Sequence, residues 1–213
     1  MLELRQDTNN RQEQLLEIGL ELLATKGYHA TKVSDIVKEA GVAQGTFYWY
    51  FKSKEEIALR IIDEGKYNLL EVLQQGYRKD EGTTKDMIQS SQRLMRNLLG
   101  FASDNRNLMI LLFLKGQGAD FKIRNAISET HLAMEEEFAK NIHRAIKLGM
   151  LEDRGFVPLQ AQMLTNLVTG LIARWLFGPL YELDYTPTLS IDSVADEIVK
   201  FEFFGLLGSG EKS

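Results

Sequence analysis

AGVAQGTFYWYFKSKEE, residues 40–56, sets five aromatic side chains in a row, Phe47, Tyr48, Trp49, Tyr50 and Phe51, behind a Gly and ahead of two Lys. At about 100° per residue of a helix, Phe47 and Phe51 share one face. Gly45, Thr46 and Trp49 point the other way, and Tyr48 and Tyr50 flank them. The pattern predicts that Phe47 and Phe51 anchor a core while the polar-tipped rings face outward.

Immediately upstream, Val33, Ile36, Val37 and Ala40 have helical spacing, with Thr31 as expected N-cap and Gly41 as stop. A second short helix is expected from about Gln44 to Tyr50. Two short helices joined at a Gly have the form of a helix-turn-helix. In that form an exposed Tyr or Trp donates to phosphate, and the second helix fits the major groove. Gly45 lets the backbone come close, and Gln44 and Thr46 reach towards base edges. Lys54 falls in the first turn of the next helix, where its ammonium and the free N–H groups both suit a phosphate. Helix-turn-helix geometry also serves purely structural ends, so the chemistry alone leaves DNA binding and a solvated helical hairpin about equally supported.

The rest of the chain is read as helix throughout. Leu15, Ile18, Leu22 and Leu23 precede a stop at Lys26-Gly27. Ser53-Lys54-Glu55-Glu56 is a capping box that opens a long helix to about Tyr77, and Thr83-x-x-Asp86 caps the next. Further helices follow at LMILLFL, from Phe121 to Leu148, from Pro158 to about Phe177, and from Ile191 to Leu207. Only three Pro occur in 213 residues, none before Pro158, and no segment alternates with period two. The expected fold is all-α with about nine helices: a three-helix head and a longer helical body. The expected division is 1–54 (helix-turn-helix about 32–51) and 55–213.

The composition is that of a soluble globular protein, with 44% apolar and 26% charged residues. No apolar run reaches the roughly 18 residues that span a bilayer, and the N-terminal sequence lacks the order of a secretory signal. With no Cys, the expected location is the cytoplasm. The net charge of −5 is unevenly placed: residues 1–54 carry seven basic and seven acidic side chains, and the body carries the whole excess. A neutral head on an acidic body permits a local basic patch beside phosphate.

Thr31-Lys32-Val33-Ser34-Asp35-Ile36, together with the stretch from Ala40 to Glu56, resembles the signature of the TetR family of one-component transcriptional regulators. GLELLATKGYHAT, just before it, resembles the end of that family's first helix. The likeness covers about residues 10–60. It implies that Thr31, Lys32 and Ser34 lie at the backbone-contacting start of the supporting helix. It places Gln44, Gly45 and Thr46 at the start of the recognition helix, with Tyr48, Trp49, Tyr50 and Lys54 as DNA contacts. Tyr50 stands where many members have His. The resemblance further implies a dimeric repressor with an effector-binding body and an imperfectly palindromic double-stranded operator. The alternative is a helical interaction module that keeps the head without using it.

Other signals are weaker. Gly116-Gln117-Gly118 starts like a dinucleotide loop, but Phe121 stands where a third Gly is needed, so a helix stop is the better reading. His131, Glu135, Glu136 and His143 do not complete a metal set, and Glu135-Glu136-Glu137 reads as a solvated face. No Ser/His/Asp set or phosphate loop appears, so neither an enzyme nor a bound cofactor or metal is expected. Arg174 is expected to pair across a subunit interface. Met134, Phe138, Trp175 and Phe177 are candidates for a cavity wall. An apolar effector pocket is expected near Tyr67, Phe101, Met109, Phe113 and Trp175. A homodimer is expected through 158–178 and 190–207, hiding Leu164, Leu167, Leu171, Ile198, Phe201 and Phe204, with Gly170 allowing close approach.

Overall fold

A computed structural model describes residues 2–75 and 82–205, with backbone only for 2–9. The described residues form nine α-helices. They are α1 (Leu2–Lys26), α2 (Val33–Glu39), α3 (Gln44–Tyr50), α4 (Lys54–Gln75), α5 (Thr84–Asp104), α6 (Arg106–Met109), α7 (Phe121–Lys147), α8 (Val157–Phe177) and α9 (Ile191–Phe204). A π-helical stretch, Ile110–Lys115, and a 3-10 turn, Gly116–Gly118, extend α6. The expected ends at Tyr77 and Leu207 lie outside the described residues.

The chain divides into two compact units. The first comprises residues 1–66 and 106–129, the second 67–105 and 130–213. In the first unit α1 packs on α2, α6 and the π-helical stretch, and α2 packs on α3. Leu15, Leu23, Ile36, Phe47, Ile57 and Ile62 are fully buried there. Two close approaches fix this packing. A Cβ on Gly65 would meet the Leu108 side chain at 2.5 Å, and one on Gly116 would meet Ile127 Cδ1 at 2.1 Å. Gly116-Gln117-Gly118 is therefore a packing site as well as a helix stop.

Local chemistry accounts for the helix ends of the head. Gly41 adopts φ +62, which suits a residue with no Cβ. Gly41 N–H donates to the Lys38 carbonyl and Val42 N–H to the Val37 carbonyl, satisfying the end of α2 in a Schellman turn. The opening of α2 differs from expectation. Its N-cap is Lys32, not Thr31, and Lys32 N–H donates to the Asp35 carboxylate at 3.1 Å. At α4 the Ser53 hydroxyl accepts from Glu56 N–H, while the Glu56 carboxylate reaches back to Lys52 N–H. Thr83 and Asp86 cap α5 reciprocally, as their spacing predicts.

In the second unit α5 packs on α9 and α8. Arg96 of α5 pairs with Asp192 at 2.6 Å and Asp196 at 3.0 Å on α9, and Gln92 donates to Asp196. These pairs lie near the surface and fix register more than they stabilise. α8 is apolar on much of its circumference. Val168, Ile172, Leu176 and Phe177 are buried, while Leu159, Met163 and Leu171 are exposed. Among the described residues no helix is long and apolar enough to cross a membrane.

Candidate nucleic-acid interface and effector cavity

The five consecutive aromatics divide as the wheel predicts. Phe47 is 0% and Phe51 3% exposed, whereas Tyr48 is 51% and Trp49 76% exposed. Phe47 meets Tyr48 edge-on, with ring centres 5.5 Å apart, and lies 5.7 Å from Phe51. The outward rings thus stand on a buried aromatic base. Tyr50 is half-buried and tilts against Trp49 at 5.6 Å. At the start of α3, Gln44 and Gly45 are exposed and Thr46 is half-buried. A Cβ on Gly45 would meet nothing within 4 Å, so its surroundings are open to an approaching ligand. Lys32 and Ser34, at the start of α2, are also exposed.

Two residues depart from their expected places. Thr31 is fully buried, and its hydroxyl donates to the Leu22 and Gly27 carbonyls at 3.1 and 2.8 Å. Its own N–H donates to the Gly27 carbonyl. With both donors engaged inside the protein, Thr31 braces the α1–α2 loop and is not a DNA contact. Lys54 is also drawn inward. Its ammonium donates to the Tyr28 carbonyl at 2.6 Å and the Thr31 carbonyl at 2.8 Å, over the Tyr28 ring. Burial lowers the Lys54 pKa, and the charge of Asp120 opposes that shift. Tyr28 shifts upward, chiefly from burial and then from Asp120 and Glu55. Two of the three ammonium N–H groups are therefore committed within the head, and one remains for a phosphate.

A cavity of about 800 Å³ opens within the second unit. Its apolar wall includes Met87 of α5, Phe138 and Ile142 of α7, Leu167 of α8, and Phe201 and Phe203 of α9. Neutral polar groups such as Ser91 and Asn141 interrupt that wall, and Arg144 and Glu202 are its charged members. Ser91 donates to the Glu202 carboxylate at 2.5 Å. Glu202 is exposed, yet the protein packed about its carboxyl raises its pKa, with the Ser91 hydrogen bond opposing.

None of the five expected pocket residues lines this cavity. Tyr67 is 63% exposed and donates to Glu71, while Met109 is buried. Phe101 and Phe113 are half-buried. Trp175 donates its indole N–H to the Leu189 carbonyl at 2.8 Å and so braces the loop after α8. Of the four cavity-wall candidates, Phe138 does line the cavity, whereas Met134 and Phe177 are buried core. The signal overlooked was polar: Gln160 and Asn166 interrupt an apolar helix and face the cavity rather than solvent alone.

Two further placements differ. Arg174 donates to the Gly178 carbonyl at 3.3 Å and lies 6.0 Å from the Tyr181 ring, so it caps its own helix. Ile198 is buried within its own unit rather than on an outer face. Among the described residues no three metal-ligating side chains gather.

The family described as bacterial regulatory proteins, tetR family, matches residues 15–61, the span that carries this head. That head belongs to the TetR family. Relatives of the chain include the fatty acid metabolism regulator protein of Bacillus subtilis, 26% identical over 165 residues, covering 78% of this chain and 83% of the relative. The HTH-type transcriptional regulator AcrR of Shigella flexneri is 24% identical over 179 residues, covering 82% of each. Among solved structures, the fatty acid degradation regulator FadR of Bacillus halodurans superposes with a TM-score of 0.77 at 18% identity, over 93% of this chain and 97% of that one. FadR of Bacillus subtilis in complex with stearoyl-CoA gives 0.75 at 22%, over 91% and 98%. At those identities the superpositions speak for the fold. This chain is a DNA-binding transcriptional regulator, and the alternative of a helical interaction module falls away. Its relatives are transcriptional regulators, not enzymes.

Proposed function

We propose that this protein is a cytoplasmic repressor that binds an imperfectly palindromic operator as a homodimer, with affinity set by a long-chain acyl effector. Residues 1–54 serve as the DNA-binding domain, with the helix-turn-helix at about 32–51, and 55–213 as the effector and dimerisation domain. Gln44 and Thr46 read base edges, Gly45 admits the backbone, and Lys32, Ser34, Tyr48, Trp49 and Tyr50 hold phosphates. Lys54 contributes its remaining N–H. The observation that carries this reading is the exposure of Tyr48 and Trp49 above fully buried Phe47, because such rings are costly to expose without a partner.

For the effector, the support is the apolar cavity of about 800 Å³ together with relatives named for fatty acid metabolism and degradation. The protein acts by binding rather than by turnover. Selecting fragments of the source genome on the pure protein, then titrating the recovered duplex with and without stearoyl-CoA, tests both halves. A specific duplex bound with steep salt dependence and shifted affinity on adding the thioester is the expected result. Binding to every duplex alike would overturn the operator reading, and an unchanged affinity would overturn the acyl reading.

A further inference from the structure

We infer that the cavity of the second unit is incomplete in one subunit and is closed by the second copy of the chain, so that effector binding and subunit association strengthen each other. The inference rests on the effector and homodimer readings above and deepens both. Its basis is that the cavity wall and the outward apolar face of α8 and α9 share residues. Met163 and Phe201 line the cavity and are exposed, and Leu164 and Leu167 line it half-buried. Leu159, Leu171 and Phe204 continue the same exposed face beyond the lining.

From Leu159 to Met163, Leu167 and Leu171, each step of four residues turns about 40° round α8 and makes one apolar side. Gln162 and Asn166 fall beyond Leu159 at the edge of that side, and Gln160 interrupts it only in the first turn. The wall left open is therefore apolar, and a second copy presenting the same two helices removes it from water. A Cβ on Gly170 would meet nothing within 4 Å, so the approach is clear. An acyl chain on this wall in a lone subunit keeps methylenes in water, whereas ligand sites bury most of their ligand. Each methylene covered tightens binding roughly fourfold. Two or three of them covered by the second copy give roughly 15-fold to 60-fold, and linkage makes the ligand tighten the dimer by the same factor for each site filled.

Leu171 separates the two events, because it belongs to the shared face and lies outside the cavity lining. The test uses the full-length protein without DNA. Binding of stearoyl-CoA is measured by equilibrium dialysis on the wild type, Leu171→Glu and Leu180→Glu, with mass checked by sedimentation and helix content by circular dichroism. The wild type and Leu180→Glu, both dimeric, should bind alike. Monomeric Leu171→Glu should bind roughly 15-fold to 60-fold more weakly. A dilution series of the wild type, with and without saturating stearoyl-CoA, reads the dimer constant directly and decides the matter even where Leu171→Glu stays dimeric. The thioester should lower the dimer dissociation constant by roughly 15-fold or more. Undiminished affinity in monomeric Leu171→Glu, or a dimer constant unmoved or raised by the thioester, overturns the inference and leaves the effector reading standing. A wild type that binds no stearoyl-CoA overturns the effector reading, and this inference with it.

Discussion

The ammonium of Lys54 lies 2.6 Å from the carbonyl oxygen of Tyr28, 26 positions earlier in the chain, and 4.2 Å from the centre of that residue's ring. A side chain placed by its sequence at a phosphate is in large part a clamp between the start of α4 and the α1–α2 loop. Lys54→Met should therefore do two things. It should destabilise the head by about 1–3 kcal/mol, because the Tyr28 and Thr31 carbonyls lose the donor they share and Met offers none. It should also lower the salt slope of DNA binding by less than the roughly one unit per subunit of a full phosphate ligand. The pH dependence has a definite sign. The folded pKa lies below the ordinary 10.5, so the charged form is the disfavoured one in the fold. That cost is complete at neutral pH, and stability rises as pH climbs through the window just under 10.5. Denaturant melts and duplex titrations at several salt concentrations measure both effects. An unchanged stability with a full unit lost from the slope would return Lys54 to the phosphates.

Phe47 and Trp49 are two positions apart and should respond in opposite ways. Phe47→Ala empties a fully buried site and should cost roughly 3–5 kcal/mol of stability. Trp49→Ala removes an exposed ring and should change stability by no more than about 0.5 kcal/mol while weakening operator binding. Stability by denaturant and affinity by titration, measured on both variants, separate the roles. If Trp49→Ala leaves affinity untouched, the exposed aromatics are not a DNA surface.

What could be read from the sequence was local. Phe47 and Phe51 fell on one side of a seven-residue helix, and the Ser53 and Thr83 caps followed from spacing within four residues. The chemistry that crosses the chain was not legible. Lys54 and Thr31 carry the residue types of DNA contacts, yet their donors are claimed by carbonyls at Leu22, Gly27, Tyr28 and Thr31, which only the closed loop brings near. Periodicity likewise finds apolar stripes but not where four helices fail to meet. The aromatics at Tyr67 and Trp175 therefore suggested a pocket, while Arg144, Asn141 and Glu202 line the cavity in the second unit.

Gly116 backs onto α7 so closely that an added Cβ would lie 2.1 Å from Ile127 Cδ1 and 2.5 Å from the Leu111 carbonyl oxygen. Its φ of −68 suits any residue, so the need for glycine is steric. Gly116→Ala should cost about 1–3 kcal/mol through overpacking. Ile127→Val deletes the Cδ1 atom and alone should cost about 0.5–1.5 kcal/mol. Combined, the two should cost less than their sum, because the truncated side chain gives way to the new methyl. A double-mutant cycle by denaturant melts measures the coupling. Strict additivity would mean that the Leu111 carbonyl, not Ile127, sets the limit.

α8 and α9 leave Leu159, Met163, Leu171, Phe201 and Phe204 exposed, more apolar surface than scattered exposure on a monomer explains. A Cβ on Gly170 would meet nothing within 4 Å, which leaves that side of α8 free for a close-packed neighbour. A second copy presenting the same two helices would bury both sets in a four-helix contact. Leu171→Glu places a carboxylate with no counter-charge in that contact and should raise the dimer dissociation constant by roughly 30-fold or more. Leu180→Glu supplies the control, because Leu180 is 77% exposed in the loop after α8 and lies outside the proposed face. Sedimentation across a concentration series should show Leu180→Glu dimeric with the wild type and Leu171→Glu dissociating, with helix content unchanged in each. Operator affinity should fall with dimer content, since each half-site then has to be held by one head alone. A Leu171→Glu protein that stays dimeric at the lowest concentrations would place the subunit contact elsewhere and leave the apolar face without an occupant.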